Sequence, residues 1–280
     1  MVNFKTLNDL YFIAEIGINH NGDIGITKKL IDASFATSWD CVKFQKRNPD
    51  VCVPDHQKDV MRDTPWGRMT YLEYKHKVEF GKEEYDYIND YCKEKPIDWT
   101  VSVWDIDSVN FISDYDVPFI KIPSAMLTND ELIEATIGTK KQIILSTGMS
   151  TIEEIDHAVD ILGKSNFTLL HCNSTYPAPE EDLNLNNIKM MQDKYNVPIG
   201  YSGHEQDLEA CMVAVTLGAN IIERHITLDH NMWGTDQKSS LEVVAMDMLK
   251  KRCNNIQTML GKYERTVSPS EKEIRKKLRG

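Results

Sequence analysis

Eight short runs of β-branched and other apolar residues alternate with longer helical patterns, and this alternation constrains the fold more than any other feature. The runs are YFIAEIGI (11–18), CVKFQ (41–45), WTVSVW (99–104), FIKI (119–122), QIILST (142–147), FTLLHC (167–172), VPIGYS (197–202) and IIERHI (221–226). Helical candidates fill the gaps: Ile24 to Trp39, Lys82 to Lys95, Asn129 to Ile137, Thr151 to Leu162, Leu185 to Tyr195 and Asp207 to Leu217, with Leu241 to Leu260 after the last run. Such alternation is the signature of parallel strands joined by helical crossovers. Eight units in about 250 residues predict an α/β fold, a (β/α)8 TIM barrel forming a single domain over 1–280 with a C-terminal tail from about 262. A doubly wound sheet is the rival, but no run is followed by G-x-G-x-x-G.

Local punctuation agrees with this frame. Ser150 or Thr151 reads as an N-cap with Glu153 and Glu154 in the first turn, and the glycine of LGAN reads as a helix end. The stretch from Lys46 to about Thr70 reads as one long irregular loop over the barrel's C-terminal face, where loops of that length usually serve function. A core of this size needs no disulfide or structural metal, and the six cysteines contain no C-x-x-C pair, so they read as free thiols.

A formal charge of −11 argues against nucleic acid or an anionic membrane as partner. No stretch approaches the ~18 apolar residues of a membrane span, and MVNFKTLNDLYFIAEIG lacks the regions of a signal peptide, so a cytoplasmic location is expected. The basic run EKEIRKKLRG reads as a solvated helix face.

In a barrel of this kind the carboxyl ends of the strands converge on the active site. The polar residues there are Glu15, the turn Asn19 to Gly22, Lys43, Gln45, Lys121, Ser124, Ser146, Thr147, Asn173 to Tyr176, Ser202, His204 and His225. His204 and His225 follow successive strands, and two neutral imidazoles hold a divalent metal while leaving positions open; simple hydrogen bonding is the alternative. Lys43 and Lys121 lie inside strands, where an ammonium costs several kcal/mol unless an anion pairs with it. They point to an anionic ligand met by the hydroxyls of Ser124, Ser146, Ser174 and Ser202. A Schiff-base lysine, or an ion pair with Glu15 or Asp105, are the competing readings. Glu15, internal to an apolar run, is either a proton-transfer group or a structural partner of Lys43.

The strings AEIGINHNGD, VKFQ, FIKIPSA, IILSTGMSTIEEI, LLHCNSTYPAP, IGYSGH and IIERHITLD, in this order and spacing, resemble the sialic acid synthase family of phosphoenolpyruvate-condensing enzymes over residues 11 to 275. The resemblance implies a barrel that joins phosphoenolpyruvate to the aldehyde of an N-acyl hexosamine such as N-acetylmannosamine, releasing a nonulosonic acid and phosphate. It implies a divalent metal of the manganese type, with Mg2+ or Co2+ as substitutes, held by His204 and His225, and a proton-transfer role for Glu15. Lys43, Lys121, Ser124, Ser146, Ser174, Tyr176 and Ser202 match the positions around phosphoenolpyruvate, and Gln45, Tyr176 and Asp236 those near the sugar. The chain departs from the family at Met126, where an acidic residue is common, and at Ser102-Val103-Trp104, which lacks one hydroxyl. It also stops at RKKLRG, where the family usually continues into an antifreeze-like domain. A homodimer, or such a domain acting in trans, is the expected complement. A non-catalytic phosphoenolpyruvate and metal binder, or an enzyme acting on another aldose, are the alternatives.

Overall fold

The computed structural model describes Phe4 and residues 10–279; the rest of the expected 1–280 domain lies outside the described residues. Among the described residues ten strands run in chain order: β1 (Tyr11–Gly17), β2 (Cys41–Lys46), β3 (Met61–Thr64), β4 (Gly67–Thr70), β5 (Asp98–Val103), β6 (Phe119–Ile122), β7 (Gln142–Ser146), β8 (Phe167–Cys172), β9 (Ile199–Gly203) and β10 (Ile221–His225). Eight close a barrel in the order β1-β10-β9-β8-β7-β6-β5-β2, every pair parallel. The (β/α)8 expectation is met.

Strand side chains alternate between faces, and the alternation builds two different layers inside the barrel. Phe12, Ala14 and Ile16 of β1 face outward into the shell between sheet and helices. Tyr11 and Ile13 face inward, where they join Phe4, Cys41, Phe119, Ile144, Leu170 and Ile221 in a plug at the strands' N-terminal ends. Phe4 closes that end, its ring 5.2 Å from Tyr11 and 5.7 Å from Phe119. One inward step higher the residues turn polar: Glu15 follows Ile13, Lys43 follows Cys41, Lys121 follows Phe119, Ser146 follows Ile144, and Glu223 follows Ile221. The plug supplies hydrophobic stabilisation of about 1.5–3 kcal/mol for each large side chain. The polar layer above it rests on a floor that excludes water.

The helix signals hold where they rest on hydrogen bonds. Thr151 caps the helix Ile152–Leu162 in a reciprocal capping box with Glu154, and Gly218, at φ +95°, ends the helix before β10. All six cysteines are free. The helix Pro269–Arg279 has no buried residue, consistent with a solvated face. No helix among the described residues is long and apolar enough to cross a membrane.

The irregular loop expected from Lys46 to Thr70 is a correction. Asn48 caps a short helix, Pro49–Cys52, that starts on proline; Asp55–Lys58 is a second. β3 and β4 then pair as an antiparallel hairpin, its turn held by the Thr64 hydroxyl donating to the Gly67 carbonyl at 2.6 Å. Short elements dense in Asp, Pro and charge show too little periodicity to be read as structure.

Candidate active site

The upper polar layer opens into a cavity of about 160 Å3 at the strands' carboxyl ends. Eleven of the twelve residues expected to form the site line it: Glu15, Lys43, Gln45, Lys121, Ser124, Ser146, Ser174, Tyr176, Ser202, His204 and His225. The twelfth, Asp236, stands beside it, its Oδ2 3.9 Å from His225 Nδ1.

At the floor, two ammonium groups share two carboxylates. Lys43 Nζ lies 2.5 Å from Glu15 Oε2 and 3.8 Å from Glu223 Oε1, and donates to Ser102 Oγ at 2.7 Å. Lys121 Nζ donates to Ser146 Oγ at 2.6 Å and lies 3.9 Å from Glu223 Oε1, which also accepts from Ser202 Oγ at 3.0 Å. Burial alone would lower the Lys43 pKa, but Glu15 and Glu223 outweigh it and hold it raised. For Lys121 burial wins and its pKa falls, Glu223 offsetting only part. Burial opposes ionisation of Glu223 as well, yet Lys121 and Lys43 pull its pKa down. The ionisation of Lys43, Lys121 and Glu223 is therefore set by their mutual charges as well as by burial. Glu223 Oε2 is buried with neither a hydrogen bond nor an ion pair.

The imidazoles occupy the upper wall. His204 Nδ1 lies 2.5 Å from the Asn173 carbonyl. A carbonyl only accepts, so Nδ1 carries the proton and Nε2 turns its lone pair to the cavity, where the Tyr176 hydroxyl donates to it at 2.9 Å. Burial, then neighbouring His225, lowers the His204 pKa to about 3, so the ring stays neutral at ordinary pH. His225 lies 5.6 Å away between ring centres, and its Nδ1 is buried with no hydrogen-bond partner. On the serine side of the cavity Gly148 leaves the room: a Cβ there would meet Ser174 Oγ and stand 2.7 Å from Cys172 Sγ and 2.9 Å from Ser124 Oγ.

Some expectations fail. Asn19 and His20 are buried outside the cavity: Asn19 Nδ2 donates to the Ile226 carbonyl and Ser240 Oγ, and His20 stacks on Phe80 at 4.1 Å. Thr147 donates to the Leu170 carbonyl and lines a larger neighbouring cavity of about 610 Å3. Asp105 pairs with neither lysine but caps the helix Ile106–Ser113. Met126 packs against the hydrophobic shell, leaving Ala125 at the cavity wall. Sequence reasoning missed Glu223 and Trp104 as lining residues. The period-2 pattern of IIERHI, which sets Glu223 on the same face as His225, was the signal for the first.

Comparison with known proteins places these features in context. The model of the NeuB family matches residues 30–265. The chain is 35% identical over 286 residues to an N-acetylneuraminate-9-phosphate synthase of Drosophila melanogaster, covering 100% of this chain and 75% of that protein. It is 34% identical over 268 residues to an N,N'-diacetyllegionaminic acid synthase of Campylobacter jejuni, covering 93% and 80%. A crystal structure of the N-acetylneuraminic acid synthetase of Leptospira borgpetersenii, in complex with citrate, superposes with a TM-score of 0.87 at 32% identity, covering 97% of this chain and 93% of that one.

Proposed function

The chain belongs to the NeuB family, and from that membership and the cavity's geometry we propose that it condenses phosphoenolpyruvate with the open-chain aldehyde of an N-acyl hexosamine. The products are a nonulosonic acid and inorganic phosphate. Relatives named as N-acetylneuraminate-9-phosphate, legionaminic and pseudaminic acid synthases support this class of product. The observation that carries the proposal is the convergence of Lys43, Lys121 and four serine hydroxyls on one cavity with two carboxylates and two imidazoles.

Each residue has a physical task on this reading. Lys121, with the hydroxyls of Ser124, Ser146 and Ser174, holds the anionic end of phosphoenolpyruvate by charge-assisted hydrogen bonds. Lys43 orients it, so that the nucleophilic carbon meets the aldehyde at close range. A carbon–carbon bond forms, water adds at C2, and phosphate leaves with cleavage of its C–O bond. Glu15 holds the proton exchanged with the reacting atoms, its carboxylate fixed by Lys43 and by Gln45 Nε2 at 3.3 Å. Gln45, Tyr176 and Asp236 meet the sugar.

The donor set fits a divalent metal. His204 presents an oriented Nε2 lone pair, and His225 Nδ1 is a buried nitrogen without a partner. His204 and His225 would hold the ion. A manganese-type ion bound there supplies a Lewis acid for the aldehyde oxygen. His204→Ala or His225→Ala is expected to weaken divalent-ion binding by at least about tenfold and to remove chelator-sensitive turnover; full turnover by thoroughly demetallated wild-type protein would exclude the metal.

Lys121→Ala is expected to raise the Kd for phosphoenolpyruvate by about ten- to a hundredfold, because a charge-assisted hydrogen bond contributes about 1.5–3 kcal/mol. Titration calorimetry reads this directly, and unchanged affinity would place the anion elsewhere. The lowered Lys121 pKa is the one observation that favours a Schiff-base lyase instead. Borohydride with pyruvate would label that lysine in a lyase and leave a synthase active.

A further inference from the structure

The turn Asn19 to Gly22 lines no part of the cavity, and its hydrogen bonds lead instead to the segment that carries Asp236. That segment joins β10 to the helix Val243–Leu260 and is irregular apart from the short helical turn Gln237–Ser239. Asp236 has little of its own to hold it. Its Oδ1 accepts from the hydroxyl of its neighbour Thr235 at 2.6 Å, and its Oδ2 lies 3.9 Å from His225 Nδ1, beyond hydrogen-bond reach. The backbone must therefore set where this carboxylate stands.

The turn fixes that backbone at both ends. Asn21 Nδ2 donates to the Trp233 carbonyl at 2.9 Å. Asn19 Nδ2 donates to Ser240 Oγ at 2.8 Å, and that hydroxyl donates to the Asp236 carbonyl at 2.7 Å. The same Asn19 amide donates at 2.9 Å to the carbonyl of Ile226, the residue after His225, so one side chain ties together the stretches that carry His225 and Asp236. Gln237 Nε2 returns to the Asn19 and Trp233 carbonyls, each at 3.3 Å, and Gln237 Oε1 accepts from Thr227 Oγ1 at 2.5 Å. The turn is itself rigid. His20 stacks on Phe80 and accepts from the Gly22 amide at 3.0 Å, and Gly22, at φ +69°, packs so closely that a Cβ would stand 2.5 Å from the Lys77 carbonyl oxygen. Asn19, Thr227, Gln237 and Ser240 are all buried, and in such low dielectric each bond of the chain strengthens the next. Stability alone does not explain the network: Asn19 Oδ1 and Ser239 Oγ are left buried without a partner, a cost that apolar side chains would avoid.

Resting on the synthase reading above, we propose that Asn19 and Asn21 are positioning residues: through Ser240 and Trp233 they hold the Asp236 carboxylate at the cavity's edge, where it orients the acceptor sugar. Neither touches the reacting atoms. Phosphoenolpyruvate belongs to the floor, with Lys43 and Lys121, so the turn governs the acceptor and leaves the enol phosphate alone. A polar group displaced by about 1 Å from its productive place can cost about a hundredfold in rate.

The test is a mutant cycle on the 280-residue protein, with phosphoenolpyruvate, manganese and either N-acetylmannosamine or its 6-phosphate, whichever wild type condenses faster. Asn21→Gly keeps the turn's backbone, since glycine adopts φ +52° without cost, and Ser240→Ala removes a single hydroxyl. Each is expected to lower kcat/KM for the acceptor about tenfold, mainly through KM, and to leave the phosphoenolpyruvate Kd within about twofold. Asn19→Ala, which cuts both ties, should cost about a hundredfold; if it does not fold, the two milder variants decide. In an Asp236→Ala background the same changes should add less than about twofold, because residues that act through one partner are not additive. Unmoved acceptor kinetics, factors that multiply in that background, or phosphoenolpyruvate affinity that falls in step would overturn the positioning role and leave the synthase standing. If wild type condenses neither acceptor, the synthase reading fails instead. Hydrogen exchange over residues 227–241 then decides the inference: faster exchange confined to that segment in both variants supports it, and exchange that is unchanged, or faster throughout the barrel, overturns it.

Discussion

Replacing Glu15 with Gln is expected to lower turnover by about 10²- to 10⁴-fold, the range contributed by a positioned proton-transfer group. The change preserves shape and removes only the ionisable function. Glu15 is 2% exposed, 2.5 Å from Lys43 Nζ and 3.3 Å from Gln45 Nε2, so a glutamine side chain occupies the same space. Lys43 keeps Ser102 and the more distant Glu223 as partners. Loss of one competing carboxylate leaves that ammonium available to phosphoenolpyruvate, whose affinity should stay within about an order of magnitude. Steady-state kinetics paired with calorimetry separates the two effects. A variant that unfolds, yet turns over normally in its folded fraction, would make the Glu15–Lys43 pair structural only.

Glu205→Ala is expected to cost about 3–5 kcal/mol of stability, because it strands a buried cation. Arg224 sits on the outward face of β10 with no exposed surface. Its Nη1 donates to Glu205 Oε1 and to the Asp207 carbonyl, both at 2.9 Å, and Nη2 donates to the Glu205 carbonyl. Glu205 Oε2 accepts from the Tyr201 hydroxyl at 2.8 Å, tying three sheet and loop residues into one network. Urea unfolding should show the loss, and Arg224→Met in the same background should recover part of it by removing the uncompensated charge. A loss below about 1 kcal/mol would show that the guanidinium finds another partner or water.

The barrel was legible because strand and helix periods differ, and the eight runs alternate too regularly for another common fold. The site was legible for a related reason. Polar residues such as Lys43 and Lys121 stand in apolar runs at the barrel's carboxyl edge, and burial without a partner is too costly to be accidental. Side-chain sharing was legible only in part. The Glu15–Lys43 pair was one of the competing readings and forms, whereas the place of Glu223 between both lysines depends on the register of β1, β2 and β10, which no local pattern reports. The NHNG turn shows the opposite error: Asn19 sits at a strand end yet is spent on the Ile226 carbonyl and Ser240. The hairpin β3–β4 escaped notice because short, charged segments around a turn carry too little periodicity to be read as strands.

The most direct measurement of the central claim follows phosphoenolpyruvate labelled with ¹⁸O in its bridging oxygen, incubated with the protein, manganese and a hexosamine-derived aldehyde. Mass spectrometry of both products should show a 2-keto acid three carbons longer than the acceptor and an equal amount of phosphate retaining the label, because the C–O bond breaks. Unlabelled phosphate, or phosphate released with pyruvate and no condensed product, would contradict the assignment of this cavity to condensation.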